Sequence, residues 1–214
     1  MKPTIALFIH DPKCSVQSGN GIMRALGTHY NFKLFSKNTV ETGFFDSVDM
    51  IAVPGGFGDS DSYDVLLKNN ASAIRNYVHN DGKYLGICMG AYWAGRHYFD
   101  ILEDVEPVQY IRRPETDTRR PHAKAIDVTW QGNEEKMFFY DGCALVGNRR
   151  RFRTVATYAN GDPMAIIQGQ IGLIGCHPES EQFWYDSYRY MRPHWHQGRH
   201  HKLLLEFVNQ LMAK

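Results

Sequence analysis

Apolar positions fall into short runs separated by helical spacings through the first half of the chain. Residues 5–9 form a continuous apolar run read as a first strand. Residues 21–30 follow with Ile22, Ala25, Leu26 and His29 on one helical face, and residues 32–35 read as a second strand. Residues 49–54 make a buried strand stopped by Pro54-Gly55-Gly56. Val65, Leu66, Ile74, Tyr77 and Val78 then predict a helical region broken near Asn69-Asn70. Residues 84–88 are another short strand, and residues 89–98, rich in Ala and aromatics, predict a helix. Strands alternating with helices predict an α/β fold with a mostly parallel sheet flanked by helices.

Beyond residue 100 the pattern changes. Residues 101–124 are polar, contain proline and have no period, so a long surface excursion is expected. Residues 125–130, 137–140, 154–159, 164–170 and 171–176 predict strands, with a turn at Gly169-Gln170. These form an antiparallel extension in the C-terminal half. Leu203, Leu204, Phe207, Val208 and Leu211 predict a closing amphipathic helix. With no repeat and no linker, one domain over residues 1–214 is expected.

Composition narrows the class without naming a function. A chain of 214 residues, 43% hydrophobic and 22% charged, can bury about 70% of its unfolded surface without staples. A formal charge of +1 gives no global field toward nucleic acid or acidic lipid. Four cysteines, Cys14, Cys88, Cys143 and Cys176, show neither a disulfide framework nor zinc spacing, so neither metal nor other cofactor is expected. The apolar run after Met1 is too short for a signal peptide, and nothing approaches the roughly 18 apolar residues of a membrane helix. A cytoplasmic protein without membrane contact is the expectation.

The chemistry concentrates at Gly86-Ile87-Cys88-Met89-Gly90, between a predicted strand and a predicted helix. A nucleophile on such an elbow sits in a strained backbone, and flanking glycines remove the side chains that would collide. The N-terminus of the following helix would favour the thiolate. Later, His177-Pro178-Glu179 follows the last strand. Residues i and i+2 of an extended segment share a side, so Glu179 can hold the His177 ring while it faces a thiol. Cys88, His177 and Glu179 thus suit nucleophile, base and orienter. Asp11, Gly55-Gly56, Cys88 and His177 all follow predicted strands, where open parallel sheets form sites. The amides of Gly56 and Met89 are candidate oxyanion donors. Gly55, Asp11, Tyr92 and Asp141 are candidate substrate contacts. Cys14, Cys143 and Cys176 are expected to be packing residues.

In this order, Pro54-Gly55-Gly56, Gly86-x-Cys88-x-Gly90 and His177-Pro178-Glu179 resemble the motifs of class I glutamine amidotransferase-like domains. The segment from Gly86 through Gly95, with Val53-Pro54-Gly55-Gly56 and Phe139-Tyr140-Asp141-Gly142, resembles more narrowly the biotin-protein ligase N-terminal-domain family, which also occurs as stand-alone proteins. The resemblance implies a flavodoxin-like fold and a cysteine-dependent amidohydrolase or amidotransferase acting on a small amide or γ-glutamyl-type molecule. It equally allows a non-catalytic binding or regulatory domain. Glutaminases of this kind continue the elbow with a His-Gln pair, whereas Ala91-Tyr92-Trp93 stands here, and no biotinyl-adenylate loop is present. Relatives with peptidase activity place the histidine close behind the cysteine, where this chain has His97.

Nine of the 24 basic residues lie in two stretches, Arg112, Arg113, Arg119, Arg120 and Lys124, then Arg149, Arg150, Arg151 and Arg153. With acidic residues between them and little aromatic interleaving, they suit a solvated loop or an oligomer contact better than nucleic acid, though a substrate carboxylate could meet them. The expected partners are therefore a small-molecule substrate and either a second copy or a separate protein. The tail carries His194, His196, His200 and His201 beside Trp195, and is expected to be a packed or exposed aromatic segment. Asp59, Asp61 and Tyr63 are candidates for the crevice rim.

Overall fold

Thr4–Phe8 forms β1, and its alternation sorts side chains onto the two faces of a sheet: Ile5 and Leu7 enter one core, Ala6 and Phe8 the other. The computed structural model describes residues 2–10, 16–41, 43–56 and 60–213, and Asp11, Cys14 and Asp59 lie outside these. Around β1 stand β2 (Asn31–Phe35), β3 (Met50–Val53), β4 (Lys83–Ile87) and β11 (Ile171–Ile174), all parallel. Onto β11 the sheet continues antiparallel through β10 (Pro163–Gln168), β9 (Arg153–Tyr158), β6 (Lys124–Trp130) and β7 (Asn133–Phe139), in the order β2-β1-β3-β4-β11-β10-β9-β6-β7. The predicted α/β fold, parallel first and antiparallel later, is the fold observed. Among the described residues no helix is long and apolar enough to cross a membrane.

Helices cover both faces. α1 (Val16–Leu26) and α6 (Arg199–Met212) bury Ile22, Leu26, Leu204, Phe207 and Val208 against one. The other receives Leu66 of α2 (Ser60–Leu66), Ile74 and Val78 of α3 (Ala71–His79), and Met89 of α4 (Met89–Trp93). A short 3-10 turn, Lys68–Asn70, separates α2 from α3 where the paired asparagines predict a break.

Four expectations change. The first helix begins at Val16 rather than 21, because the weak helix formers Ser18-Gly19-Asn20-Gly21 stay helical through tertiary packing: a Cβ on Gly21 would overlap the Glu179 carbonyl. The helix after the elbow ends at Trp93, five residues long, so little dipole accumulates. Residues 101–124 are not wholly surface, since β5 (Val105–Gln109) pairs with β8 (Cys143–Gly147) in a second sheet. There Tyr110 stacks on Tyr158 at 3.8 Å, fully buried. β5 escapes the sequence pattern because it contains Pro107 and its partner lies far along the chain. Finally, Tyr63 turns into a cluster with Trp93, Tyr98 and Phe99 instead of lining a rim.

Candidate functional site

The elbow is built as the two glycines require. Cys88 leaves β4 at φ 50°, ψ −101°, a strained conformation for a residue with a Cβ. It is held by its own N–H to Ile174 O at 2.8 Å and by Ala91 and Tyr92 N–H bonds to its carbonyl, both 3.0 Å. A Cβ on Gly86 would overlap Gly90, and one on Gly90 would overlap the Val53 carbonyl, so any side chain there would push the elbow off the sheet. Tyr84 Oη pins the Gly90 carbonyl from below at 2.7 Å. The Cys88 thiol is nearly buried and donates to Tyr140 O at 3.7 Å.

His177 arrives at the end of β11, its N–H bonded to Phe138 O at 2.9 Å. Its Nδ1 lies 2.8 Å from Glu179 Oε1. Glu179 is fully buried, and Ser18 Oγ of α1 donates to the same oxygen at 2.6 Å. Ser18 Oγ in turn accepts the Gly55 N–H at 2.9 Å, so α1, the loop after β3 and the turn after β11 are tied at one carboxylate. Burial alone would lower the affinity of His177 for a proton, but the Glu179 carboxylate and the Cys88 thiol outweigh it and push the pKa up to about 10. Cys88, His177 and Glu179 therefore form one cluster outside the carboxyl ends of β4 and β11. His97 takes no part, being exposed and bonded to Arg96.

The remaining candidates separate. Gly55 packs against the imidazole so closely that a Cβ would stand 2.6 Å from His177 Cε1, and its amide is engaged by Ser18. Gly56 is exposed at the mouth of the same loop. Met89 occupies the first position of α4, where an N–H has no intrahelical acceptor. Tyr92 Oη donates to Asp141 O at 3.0 Å, fixing the Tyr140-Asp141 corner beside the thiol, and Gln109 Nε2 donates to Asp141 Oδ2 at 3.0 Å. Burial raises the Asp141 pKa, against Gln109 and Arg112, which lower it. Cys143 and Cys176 are fully buried, and burial pushes both thiols well up, which leaves them inert.

Several arginines tie the chain to itself. Arg113 grips Asp162 with two bonds at 2.7 and 3.1 Å, Arg149 donates to Gly161 O at 2.9 Å, and Arg153 to Gln210 at 2.7 Å. Arg151 pairs with Asp104 at 3.4 Å. Sequence reasoning missed Ser18. Its signal is indirect: two glycines inside one helix, Gly19 and Gly21, mark a face in close contact with other atoms.

Residues 12–106 match the family model described as "Biotin-protein ligase, N terminal", a span that contains the elbow but not His177 and Glu179. A glutamine amidotransferase from Thermotoga maritima superposes with a TM-score of 0.69 at 12% identity over 100% of both chains. This is the glutamine amidotransferase fold. PurLQS from the same organism shares it at a TM-score of 0.62 and 15% identity, over 99% of this chain and 100% of that one. A glutamine amidotransferase from Methylobacillus flagellatus does so at 0.57 and 13%, over 90% and 76%. An uncharacterized protein of Chlamydia muridarum is 40% identical over 58 residues, which are 27% of this chain and 22% of that relative's length. Within the amidotransferase fold, the Ala91-Tyr92-Trp93 departure acquires structure: Trp93 is core, and Tyr92 braces Asp141.

Proposed function

We propose that the protein is a cysteine-dependent amidohydrolase or amidotransferase-like enzyme acting on a small amide or γ-glutamyl-type substrate. The observation that carries this reading is His177, held by Glu179 through Nδ1 and raised in proton affinity by both Glu179 and the Cys88 thiol. His177 Nε2 takes the proton of Cys88, and the sulfur attacks the amide carbon while the Met89 and Gly56 N–H groups receive the oxyanion. The carbon–nitrogen bond breaks as His177 returns that proton to the leaving amine. Water then attacks the thioester with His177 accepting its proton, and the carboxylic acid leaves as the Cys88 thiol reforms. The strained elbow supports this role, since it exposes the sulfur and the next N–H to one point.

The test is alkylation by iodoacetamide at pH 7, followed residue by residue by mass spectrometry. Cys88 is expected to react at least about tenfold faster than a free cysteine, with Cys143 and Cys176 silent, and His177→Ala to remove the advantage. Alkylation of Cys88 no faster than free cysteine, with no effect of His177→Ala, would leave the scaffold as a binding or regulatory domain.

A further inference from the structure

The histidine-rich tail belongs to none of the chemistry above, yet it reaches the segment that carries it. Ser180 follows Glu179 directly, and its N–H closes a turn onto His177 O at 3.2 Å. Two tail histidines meet its carbonyl oxygen, His196 Nε2 at 3.1 Å and His201 Nε2 at 3.0 Å. Tyr185 Oη stands 3.1 Å from its hydroxyl. His196 is buried at 5% exposure, and its Nδ1 accepts the His200 N–H at 3.3 Å. His200, fully buried, donates through Nε2 to Glu135 Oε2 at 3.0 Å, an oxygen also gripped by Arg199. Among the described residues no group of three or more His, Cys, Asp or Glu side chains is placed to hold a metal ion.

We infer that His196 and His201 are positioning residues for the proposed reaction: from the C-terminal segment they clamp Ser180, and so fix the turn that aims Glu179 at His177. The inference rests on the proposed roles of His177 and Glu179. The backbone of the turn is held at both ends. Its start is fixed by the His177 N–H on Phe138 O, and its end by the tail histidines on Ser180 O. Without the second anchor, the carboxylate keeps its Ser18 bond but the backbone that carries it is no longer fixed against Nδ1, and the proton affinity of His177 falls toward what burial dictates. The clamp requires a neutral His196, since its Nδ1 must accept one bond while Nε2–H donates another. Its surroundings enforce neutrality. Burial first, then His200 and His201, push its pKa down to about 3, with Arg199 acting in the same direction and the Ser180 carbonyl against it. Glu135 and Tyr185 complete the polar groups facing the cluster.

The experiment uses the full chain and two readouts: the titration of the His177 ring by NMR, and the rate of Cys88 alkylation by iodoacetamide. His196→Ala with His201→Ala is expected to lower the His177 pKa by at least about one unit and to slow alkylation at least about tenfold. Glutamine at both positions, which keeps a donor toward Ser180 O but cannot titrate, is expected to restore most of both. Should the double alanine variant fail to fold, His201→Ala alone, at a half-buried position, carries the comparison against His201→Gln. An unchanged His177 titration in a folded alanine variant overturns the clamp, as does a loss that glutamine leaves unrestored. Failure of the nucleophile reading is distinguishable: it abolishes the alkylation advantage in the parent protein, while the His177 titration still reports on the clamp.

Discussion

Replacing Glu179 by glutamine removes one charge from a fully buried position while keeping its shape. In the folded protein His177 is pushed up to about 10 from an ordinary value of 6.5. A span of about 3.5 pH units corresponds to ~5 kcal/mol of preference for the protonated ring, since each unit is about 1.4 kcal/mol. Burial acts in the opposite direction, so the carboxylate and the thiol together supply more than that net figure. The charge of the carboxylate, 2.8 Å away, is the largest single raising contribution. In Glu179→Gln, the His177 ring is expected to titrate at least about two units lower, measured from its Cε1 proton signal in NMR across pH 5–10. The sign of the stability effect follows. A raised folded pKa contributes stability that is present below pH 6.5 and lost as pH rises through about 10. The variant should therefore lose most relative to the parent at neutral pH and below, and the gap should close by about pH 10. A His177 titration within half a unit of the parent, in a variant with unchanged circular dichroism, would refute this account.

Two other expectations follow from the same contacts. Gly55→Ala places a methyl 2.6 Å from His177 Cε1, so the ring must move. A cost on the order of 1–3 kcal/mol in urea denaturation and a slower Cys88 alkylation are expected, whereas unchanged alkylation would mean that the loop yields freely. On the acid side, His196 and His200 are pushed down to about 3 and about 4 by burial, so the unfolded chain binds their protons below pH 6.5 while the folded one does not. Unfolding free energies from urea titrations should fall between pH 6.5 and pH 4.5 by as much as ~1.4 kcal/mol per pH unit for each histidine, and replacing His196 by glutamine should flatten that slope.

The elbow was legible because its demands are local. A strand, a sharp turn and a close helix leave room only for Gly86 and Gly90, and these glycines announce themselves in sequence. His177 and Glu179 were legible for a similar reason, two residues apart at a strand end. Ser18 was not, because a serine in a helix has no local mark when its acceptor is a carboxylate 161 residues away. The Tyr92 bond to the Asp141 carbonyl joins segments in the same way. The arginine stretches read as solvated charge, yet Arg113 and Arg149 both tie down the turn at Gly161-Asp162, while Arg151 and Arg153 reach Asp104 and Gln210.

Sequence by itself determined the class of fold, the order of its parallel and antiparallel halves and the place of Cys88 on a glycine-flanked elbow, since all three depend on periodicity, turns and spacing within a few residues. Tertiary structure decided what surrounds that thiol. Burying Glu179 beneath α1, joining it to Ser18 and His177, and seating the turn on tail histidines all require chain segments far apart in sequence to meet. The proton affinity of His177 follows from that meeting, because burial and a charge at hydrogen-bond distance act only where the folded chain brings them together.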